Sequence, residues 1–325
     1  MLAEFDLIRR YLVPSPARHA ADGIALGNGD DAALLVPRAG HQLAVSVDTS
    51  VVDVHFPGDA PAFAVGHRAL AVALSDLAAM GATSRWCFMA LTFDQRHFAD
   101  DAATQAWMEG FGQGFHGLCE RHATTLAGGD VTSGALTVGV TVMGETPQGL
   151  SLRRGGANVG DVIAVTGELG GGAGGLALWQ KGERSLEHPL LRRYLLPEPR
   201  LAAGEALLHL ASSAIDISDG LLADLGHLRH ASNVGAALDM DALPLASGLE
   251  EALGREAALQ AALSGGDDYE LLVTLAPENV EKARQQLREL GLALTVIGHC
   301  REEPGVHGIP VGGRAGWQHF NEGTP

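Results

Sequence analysis

Ala214-Ile-Asp-Ile-Ser-Asp-Gly-Leu221 is a short β-branched run that ends in two carboxylates, a hydroxyl and a glycine. Residues 213 to 218 read as the end of a strand, and Leu221 to His230 as the helix that follows. Asp216 and Asp219 then stand at a strand-to-helix turn with Ser218 between them. Backbone N–H groups at the start of that helix are expected to be free to receive an anion. Simple capping of the helix by Asp219 or Ser218 is the competing explanation.

Outward from this turn, acid-rich and glycine-flanked segments recur. Toward the C-terminus, a strand at Ala236 to Met240 precedes Ser264-Gly-Gly-Asp-Asp-Tyr-Glu270, which leads into a strand at Leu271 to Leu275. An amphipathic helix at Glu278 to Leu290 and a strand at Leu292 to Ile297 follow. On the N-terminal side, a helix through Leu210 comes after Pro197 and Pro199. The strand Val162 to Thr166 runs into the glycine-rich Gly167 to Gly175, which lacks the Lys-Ser/Thr of a P-loop and the spacing of a dinucleotide fingerprint.

Pro147 to Gly160 is polar and reads as a junction. Before it, Gly128-Gly-Asp-Val-Thr-Ser-Gly134 reads as a turn between a helix at Thr104 to Arg121 and a strand at Ala135 to Met143. Its Asp130 fits an ordinary Asx turn, while the paired glycines would let a phosphate approach the backbone. Trp86 to Phe93 alternates as a strand, and Pro61 to Gly81 has helical spacing with Ser75 and Asp76 inside it. An aspartate there either faces water or serves a site. The strand Leu43 to Val47 runs straight into Asp48, and Gly27-Asn-Gly-Asp-Asp-Ala-Ala-Leu-Leu-Val36 places Asp30 and Asp31 on a turn before another strand. A short helix opens the chain from Phe5 to Leu12. Strands and helices alternate in both halves, so the class is α/β to α+β in two domains, 1–148 and 149–325.

Composition limits the chemistry. A 325-residue chain that is 46% hydrophobic can bury two cores. Its net charge of −17 opposes binding to a nucleic-acid backbone. An acidic protein that handles phosphates needs cations to bridge carboxylates and substrate oxygens, and magnesium suits oxygen donors. Cys87, Cys119 and Cys300 lie far apart in sequence and suggest neither a zinc knuckle nor a disulfide framework. The charged, amphipathic start is no signal peptide, and the apolar runs are too short to cross a bilayer. The expectation is a cytoplasmic protein with no membrane or nucleic-acid partner.

The segments GNGDDAALL (27–35), SVDTSVVDVHF (46–56), HRALAVALSDLAAMGA (67–82), GGDVTSG (128–134), RRGGANVGD (153–161), AIDISDGLLADLGH (214–227) and SGGDDYELL (264–272) occur in this order over nearly the whole chain. Together they closely resemble the thiamine-monophosphate kinase family. The resemblance implies a two-domain PurM-like ATP-binding fold, with an N-terminal mixed sheet that pairs across a homodimer and a C-terminal α+β domain. It implies transfer of phosphate from ATP to thiamine monophosphate, giving thiamine diphosphate, in thiamine biosynthesis. Position by position, Asp30, Ser46, Val47, Asp48, Asp76, Asp130, Asp216 and Asp219 match positions that hold several magnesium ions, Val47 through its backbone. Gly129, Asp130, Arg154 and Ser218 match nucleotide contacts, with Asp130, Asp216 and Arg154 the catalytic set. His55, Asp267 and Trp317 match positions that hold the thiamine part; outside the motif context, the first is more often a structural histidine and the last a packing tryptophan.

Asp267 stands where the family usually has Glu, and Asn28 and Asp53 replace commoner Ile and Gly. Because the acceptor is already an ionised phosphate, direct in-line transfer needs positioning and charge neutralisation rather than a strong base. Two rivals remain: a superfamily enzyme acting on another acceptor, and a non-catalytic nucleotide-binding or metal-binding regulator.

Overall fold

The computed structural model describes residues 8–13 and 23–309. The chain divides into two compact units, Met1–Leu77 with Ala82–Leu150, and Ala78–Gly81 with Ser151–Pro325.

In the first unit a hairpin of β1 (Ile24–Leu26) and β2 (Leu34–Leu35) precedes β3 (His41–Val51), α1 (Ala62–Ala79), β4 (Thr83–Thr92), α2 (Asp101–Arg121), β5 (Thr125–Thr132) and β6 (Thr137–Pro147). The four long strands form a mixed sheet in the order β3-β6-β4-β5, with only the β4–β5 pair parallel. One face packs on the helices. Residues 44, 46, 48 and 50 of β3 are half-buried or buried, while 43, 45, 47 and 49 are exposed. This alternation is the period-two signature of a strand with one covered face.

Helix α1 is apolar enough to pass for a membrane span, but 78% of it is buried inside the protein, so it is a core helix. It stops where Gly81 takes φ 64°, a left-handed conformation that glycine adopts without a Cβ clash. Asp100 caps α2 by accepting the Ala103 N–H at 2.8 Å. The two helices cross at glycines: a Cβ on Gly66 would lie 2.1 Å from the Phe111 carbonyl oxygen, and one on Gly114 would lie 1.9 Å from that of Phe63. Gly114→Ala must therefore separate the helices, and a loss of about 1–3 kcal/mol is expected by urea denaturation. An unchanged midpoint would show that the crossing can relax freely.

Two sequence expectations change in this unit. The sequence puts Asp48 at a strand end and Asp130 in a turn, but both lie inside strands. The glycines before Asp130 bring β5 close to β4: a Cβ on Gly129 would sit 2.0 Å from the Met89 carbonyl oxygen. The pair therefore serves strand packing rather than a turn. Cys87 on β4 and Cys119 on α2, distant in sequence, meet as free buried thiols joined by a hydrogen bond.

The second unit contains β7 (Val162–Thr166), α3 (Gly171–Gln180), α4 (Pro189–Leu195), α5 (Leu201–Leu207), β8 (Ala211–Asp216), α6 (Leu221–Ser232), β9 (Gly235–Leu238), α7 (Leu249–Leu253), α8 (Arg255–Ser264), β10 (Leu271–Leu275), α9 (Val280–Glu289), β11 (Leu294–Arg301) and β12 (Val306–His307). Its six-stranded sheet has the order β12-β9-β11-β7-β10-β8, antiparallel except for the β12–β9 pair. Ile163, Val165, Ile215, Leu272 and Ile297 from the sheet pack with Leu221, Leu225 and Leu228 of α6 in one core. The helical spacing of those leucines fixes which face of α6 is buried. Helices α3, α4, α7 and α8 have no such signature in the sequence, each being glycine-rich, short or without a sustained apolar period.

Candidate active site

Each unit carries part of the predicted residue set. In the first, strand alternation turns Ser46 and Asp48 toward the helices, and the Ser46 hydroxyl donates a short hydrogen bond to Asp76 Oδ2. Asp76 is thus half-buried and engaged by β3 rather than solvated. Val47 points the other way and is 65% exposed, so any ligation from it would use the backbone of this edge strand. Cross-strand register puts Asp130 beside Ala90, which pairs with Gly139 and so with Thr49, on the face opposite Ser46 and Asp48. Asp30 is exposed on the β1–β2 loop, where its Oδ1 accepts the Asp31 N–H at 2.8 Å. Asn28 anchors that loop to β5 through the Leu126 carbonyl at 3.0 Å.

His55 lies in a tight turn after β3. Its Nδ1 accepts the Val51 N–H at 3.0 Å, which leaves the proton on Nε2 in the neutral ring. Arg68 Nε donates to the His55 carbonyl at 3.1 Å, so backbone and ring are both fixed. Asp53, where the family commonly has Gly, takes φ 60° and accepts the Gly58 N–H at 2.9 Å. A left-handed conformation is one that glycine adopts freely, and the hydrogen bond offsets the strain of the aspartate.

In the second unit, Asp216 is 4% exposed at the end of β8 and pairs in register with Leu271. The two loops beyond this pair continue as a ladder. Ile217 N–H donates to the Glu270 carbonyl at 2.8 Å, Tyr269 N–H to that of Ile217 at 2.8 Å, and Asp267 N–H to that of Ser218 at 2.9 Å. Ser218 and Asp219 are half-buried beside it. A Cβ on Gly266 would approach the Ser218 carbonyl oxygen to 2.6 Å, so the close approach of the loops requires glycine. Asp267 and Tyr269 both adopt left-handed backbone, φ 71° and φ 52°. Such conformations are tolerated by Asp and unfavourable for Tyr, and they concentrate at functional loops. The Tyr269 hydroxyl donates to Asp267 Oδ1 at 2.9 Å. Arg154 is exposed, and its carbonyl accepts the Ser232 hydroxyl at 2.9 Å. Trp317 lies outside the described residues.

The structure corrects the expectation that the amides at the start of α6 are free to receive an anion. The N–H groups of Ser218, Asp219 and Gly220 are not free: each donates to Asp224 Oδ2 at 3.1 Å. Neither Ser218 nor Asp219 caps α6, whose N-cap is Gly220. Likewise, the start of the glycine-rich α3 is taken by Asp268, which accepts the Gly170 N–H at 2.7 Å and the Gly172 N–H at 3.1 Å. The glycines of α3 serve close packing, since a Cβ on Gly175 would lie 2.2 Å from the Leu190 carbonyl oxygen.

Burial, then the carboxylates of Asp216 and Asp219, raise the Asp224 pKa to about 7 against the pull of the amides. Burial likewise raises Asp268 to about 7. Asp224, Asp268 and Glu270 were not singled out by sequence as structural parts of the site. Asp224 did carry a signal: it falls on the apolar stripe formed by Leu221, Leu225 and Leu228.

All predicted metal positions offer oxygen, the donor set of a hard cation such as magnesium. Among the described residues no three His, Cys, Asp or Glu side chains come together as a metal cage.

The family model for AIR synthase related protein, N-terminal domain, matches residues 29–146, and that for AIR synthase related protein, C-terminal domain, matches residues 158–309. The thiamine-monophosphate kinase of Escherichia coli (strain K12) is 41% identical over 299 residues, covering 91% of this chain and 89% of that protein. The chain belongs to the thiamine-monophosphate kinase family. The crystal structure of thiamine-monophosphate kinase from Stenotrophomonas maltophilia K279a matches with a TM-score of 0.85 and 46% identity, over 94% of this chain and 96% of that one. AaThiL complexed with AMPPCP and TMP matches with a TM-score of 0.76 and 28% identity, over 97% and 96% of the two chains. Members of this family share the two-domain PurM-like fold of mixed sheets and helices described above.

Proposed function

We propose that the protein transfers the γ-phosphoryl group of ATP to thiamine monophosphate, giving thiamine diphosphate. The observation that carries this reading is the likeness, over 97% of the chain, to AaThiL complexed with AMPPCP and TMP. Transfer is direct and in line, because the acceptor oxygen is already ionised and no protein nucleophile is required. Gly129, Asp130, Arg154 and Ser218 bind the nucleotide, and Arg154 adds fixed positive charge to the phosphates. Asp30, Ser46, the Val47 backbone, Asp48, Asp76, Asp130, Asp216 and Asp219 hold several magnesium ions. Bound magnesium supplies charge neutralisation on the phosphates. His55, Asp267 and Trp317 hold the thiamine part. Residues 1–148 form the ATP/magnesium-binding and dimerisation domain and 149–325 the C-terminal domain, in a cytoplasmic protein.

An ADP-release assay with ATP, magnesium and thiamine monophosphate, with chromatography of the product, tests the reaction. Turnover to thiamine diphosphate is expected. No turnover with this acceptor, but turnover with an aminoimidazole precursor or selenide, would assign the chain to a superfamily rival; binding of ATP without any turnover would favour a regulator.

Asp267 is the departure from the family that bears most on the acceptor. Its backbone is left-handed, φ 71°, and Asp is one methylene shorter than Glu, so its contact to the acceptor is longer or passes through water. A carboxylate there can form charge-assisted hydrogen bonds with the cationic thiamine heterocycles or their amino group. Asp267→Ala should raise the KM for thiamine monophosphate about tenfold, the loss of a ~1.4 kcal/mol interaction, with the KM for ATP nearly unchanged. Asp267→Glu should keep or lower the acceptor KM. A lower melting temperature in the Ala variant with unchanged acceptor KM would mean that Asp267 only braces Tyr269.

A homodimer through the first unit is supported by the open face of edge strand β3, where Leu43, Val45 and Val47 are 44%, 55% and 65% exposed. Light scattering should give twice the 33.8 kDa chain mass. A fully active monomer at micromolar concentration would end this assignment.

A further inference from the structure

The turn that carries Ser218 and Asp219 has three consecutive N–H groups aimed at one point, and the point is filled by a side chain of this same chain. Asp224 Oδ2 accepts all three at 3.1 Å, and the residue is 2% exposed. Helix geometry makes this possible: Asp224 is the fourth residue of α6, one turn in, and side chains lean back toward the helix N-terminus. Gly220 takes φ 120°, a Cβ there would lie 2.9 Å from the Ser264 carbonyl carbon, and α6 has no side-chain cap from Ser218 or Asp219. The neighbours make the arrangement costly. Asp224 is buried within the field of Asp216 and Asp219, where a third carboxylate adds repulsion.

The geometry points to Asp224 as the positioning residue of the phosphotransfer site: its single oxygen gathers the Ser218, Asp219 and Gly220 amides and thereby sets the directions in which the Ser218 and Asp219 side chains meet metal and nucleotide. This rests on the reading of Ser218 and Asp219 as ligand contacts. The role is that of a hydrogen-bond acceptor at a fixed place, not of a ligand. Removing such supports commonly costs 10–100-fold in metal affinity or activity.

Three variants separate the possibilities. Asp224→Asn keeps an oxygen in place, so it should hold the magnesium concentration for half-maximal rate within about threefold of wild type. Asp224→Ala loses the acceptor, and Asp224→Glu moves it by a methylene while keeping the charge; both should raise that concentration tenfold or more and lower kcat. Binding of Mn2+ with AMPPCP, followed by electron paramagnetic resonance, should show the same order without turnover. If Ala does not fold, the opposition between Asn and Glu still decides.

An Asn variant as impaired as Glu or Ala would make Asp224 a charge donor or a ligand and overturn the inference. So would Ala and Glu variants that lose melting temperature but keep wild-type magnesium dependence, Mn2+ affinity and KM for ATP, since that is how a purely structural cap behaves. If wild-type protein fails to phosphorylate thiamine monophosphate, the functional reading falls. The Mn2+ comparison still tests Asp224.

Discussion

Replacing Arg200 with methionine should cost about 3–5 kcal/mol of stability, the effect of leaving one member of a buried ion pair uncompensated. Glu270 is fully buried. Arg200 meets it as a fork, Nε to Oε2 at 2.8 Å and an Nη to Oε1 at 2.5 Å, and Thr166 Oγ1 donates to Oε2 at 2.7 Å. The surroundings cannot relax around a lone charge. Gly167, with φ 58°, lies so close that a Cβ there would sit 2.1 Å from Glu270 Oε1. Arg193, 3.8 Å from the same oxygen, is already paired with Glu168 at 2.6 Å and replaces little of the loss. The damage should reach the site, because the Glu270 carbonyl holds Ile217 and the adjacent Leu271 pairs with Asp216.

The double variant Arg200→Met with Glu270→Gln removes both charges and should recover most of the stability, since deleting a buried pair costs far less than breaking it. Urea midpoints of the two single variants and the double variant close the cycle. A single Arg200→Met variant within about 1 kcal/mol of wild type would show that the Arg200–Glu270 pair is not what holds this part of the fold.

What the sequence makes legible follows from local physics. Val162 to Thr166 and Leu271 to Leu275 are strands over the residues expected, because a continuous apolar run between turn residues has one good solution in a covered sheet. The α1 boundaries follow from Pro61 and Gly81 for the same local reason. The misreadings are non-local. Paired glycines beside Asp130 resemble a turn, yet they exist because β5 runs against the Met89 backbone. The glycines of 167–175, whose role the sequence leaves open, answer to Glu270, Leu190 and Asp268, all distant in sequence.

The site divides in the same way. Asp216, Ser218 and Asp219 stand out by residue type and adjacency, whereas the groups that hold them, Asp224 five residues on and Glu270 with Arg200 far away, become visible only once the chain is folded. Strand alternation could have shown that Val47 points away from Ser46 and Asp48. Asp53 shows the reverse case, where a left-handed backbone is held by a residue other than glycine.

Asp216→Asn and Asp130→Asn should each lower kcat by about 100–1000-fold at saturating magnesium, the scale of losing one preorganised electrostatic contact to the transition state. The two should differ in stability. Asp216 is buried at the end of β8 and shares its field with Asp219 and Asp224, and two carboxylates about 5 Å apart repel by ~3 kcal/mol at an effective dielectric of ~20. Neutralising it relieves part of that repulsion when no metal is bound, so the magnesium-free melting temperature should rise. Asp130 is exposed, so its Asn variant should melt like wild type. Magnesium should stabilise wild-type protein more than the Asp216 variant, because a ligand stabilises the folded state according to its affinity. The measurements are kcat with saturating ATP and thiamine monophosphate, and melting curves with and without magnesium. Near-normal kcat in both variants would remove these residues from the metal set. A fall in the magnesium-free melting temperature of Asp216→Asn would instead mean that the Asp216 carboxylate is held by hydrogen bonds that outweigh its repulsion from Asp219 and Asp224.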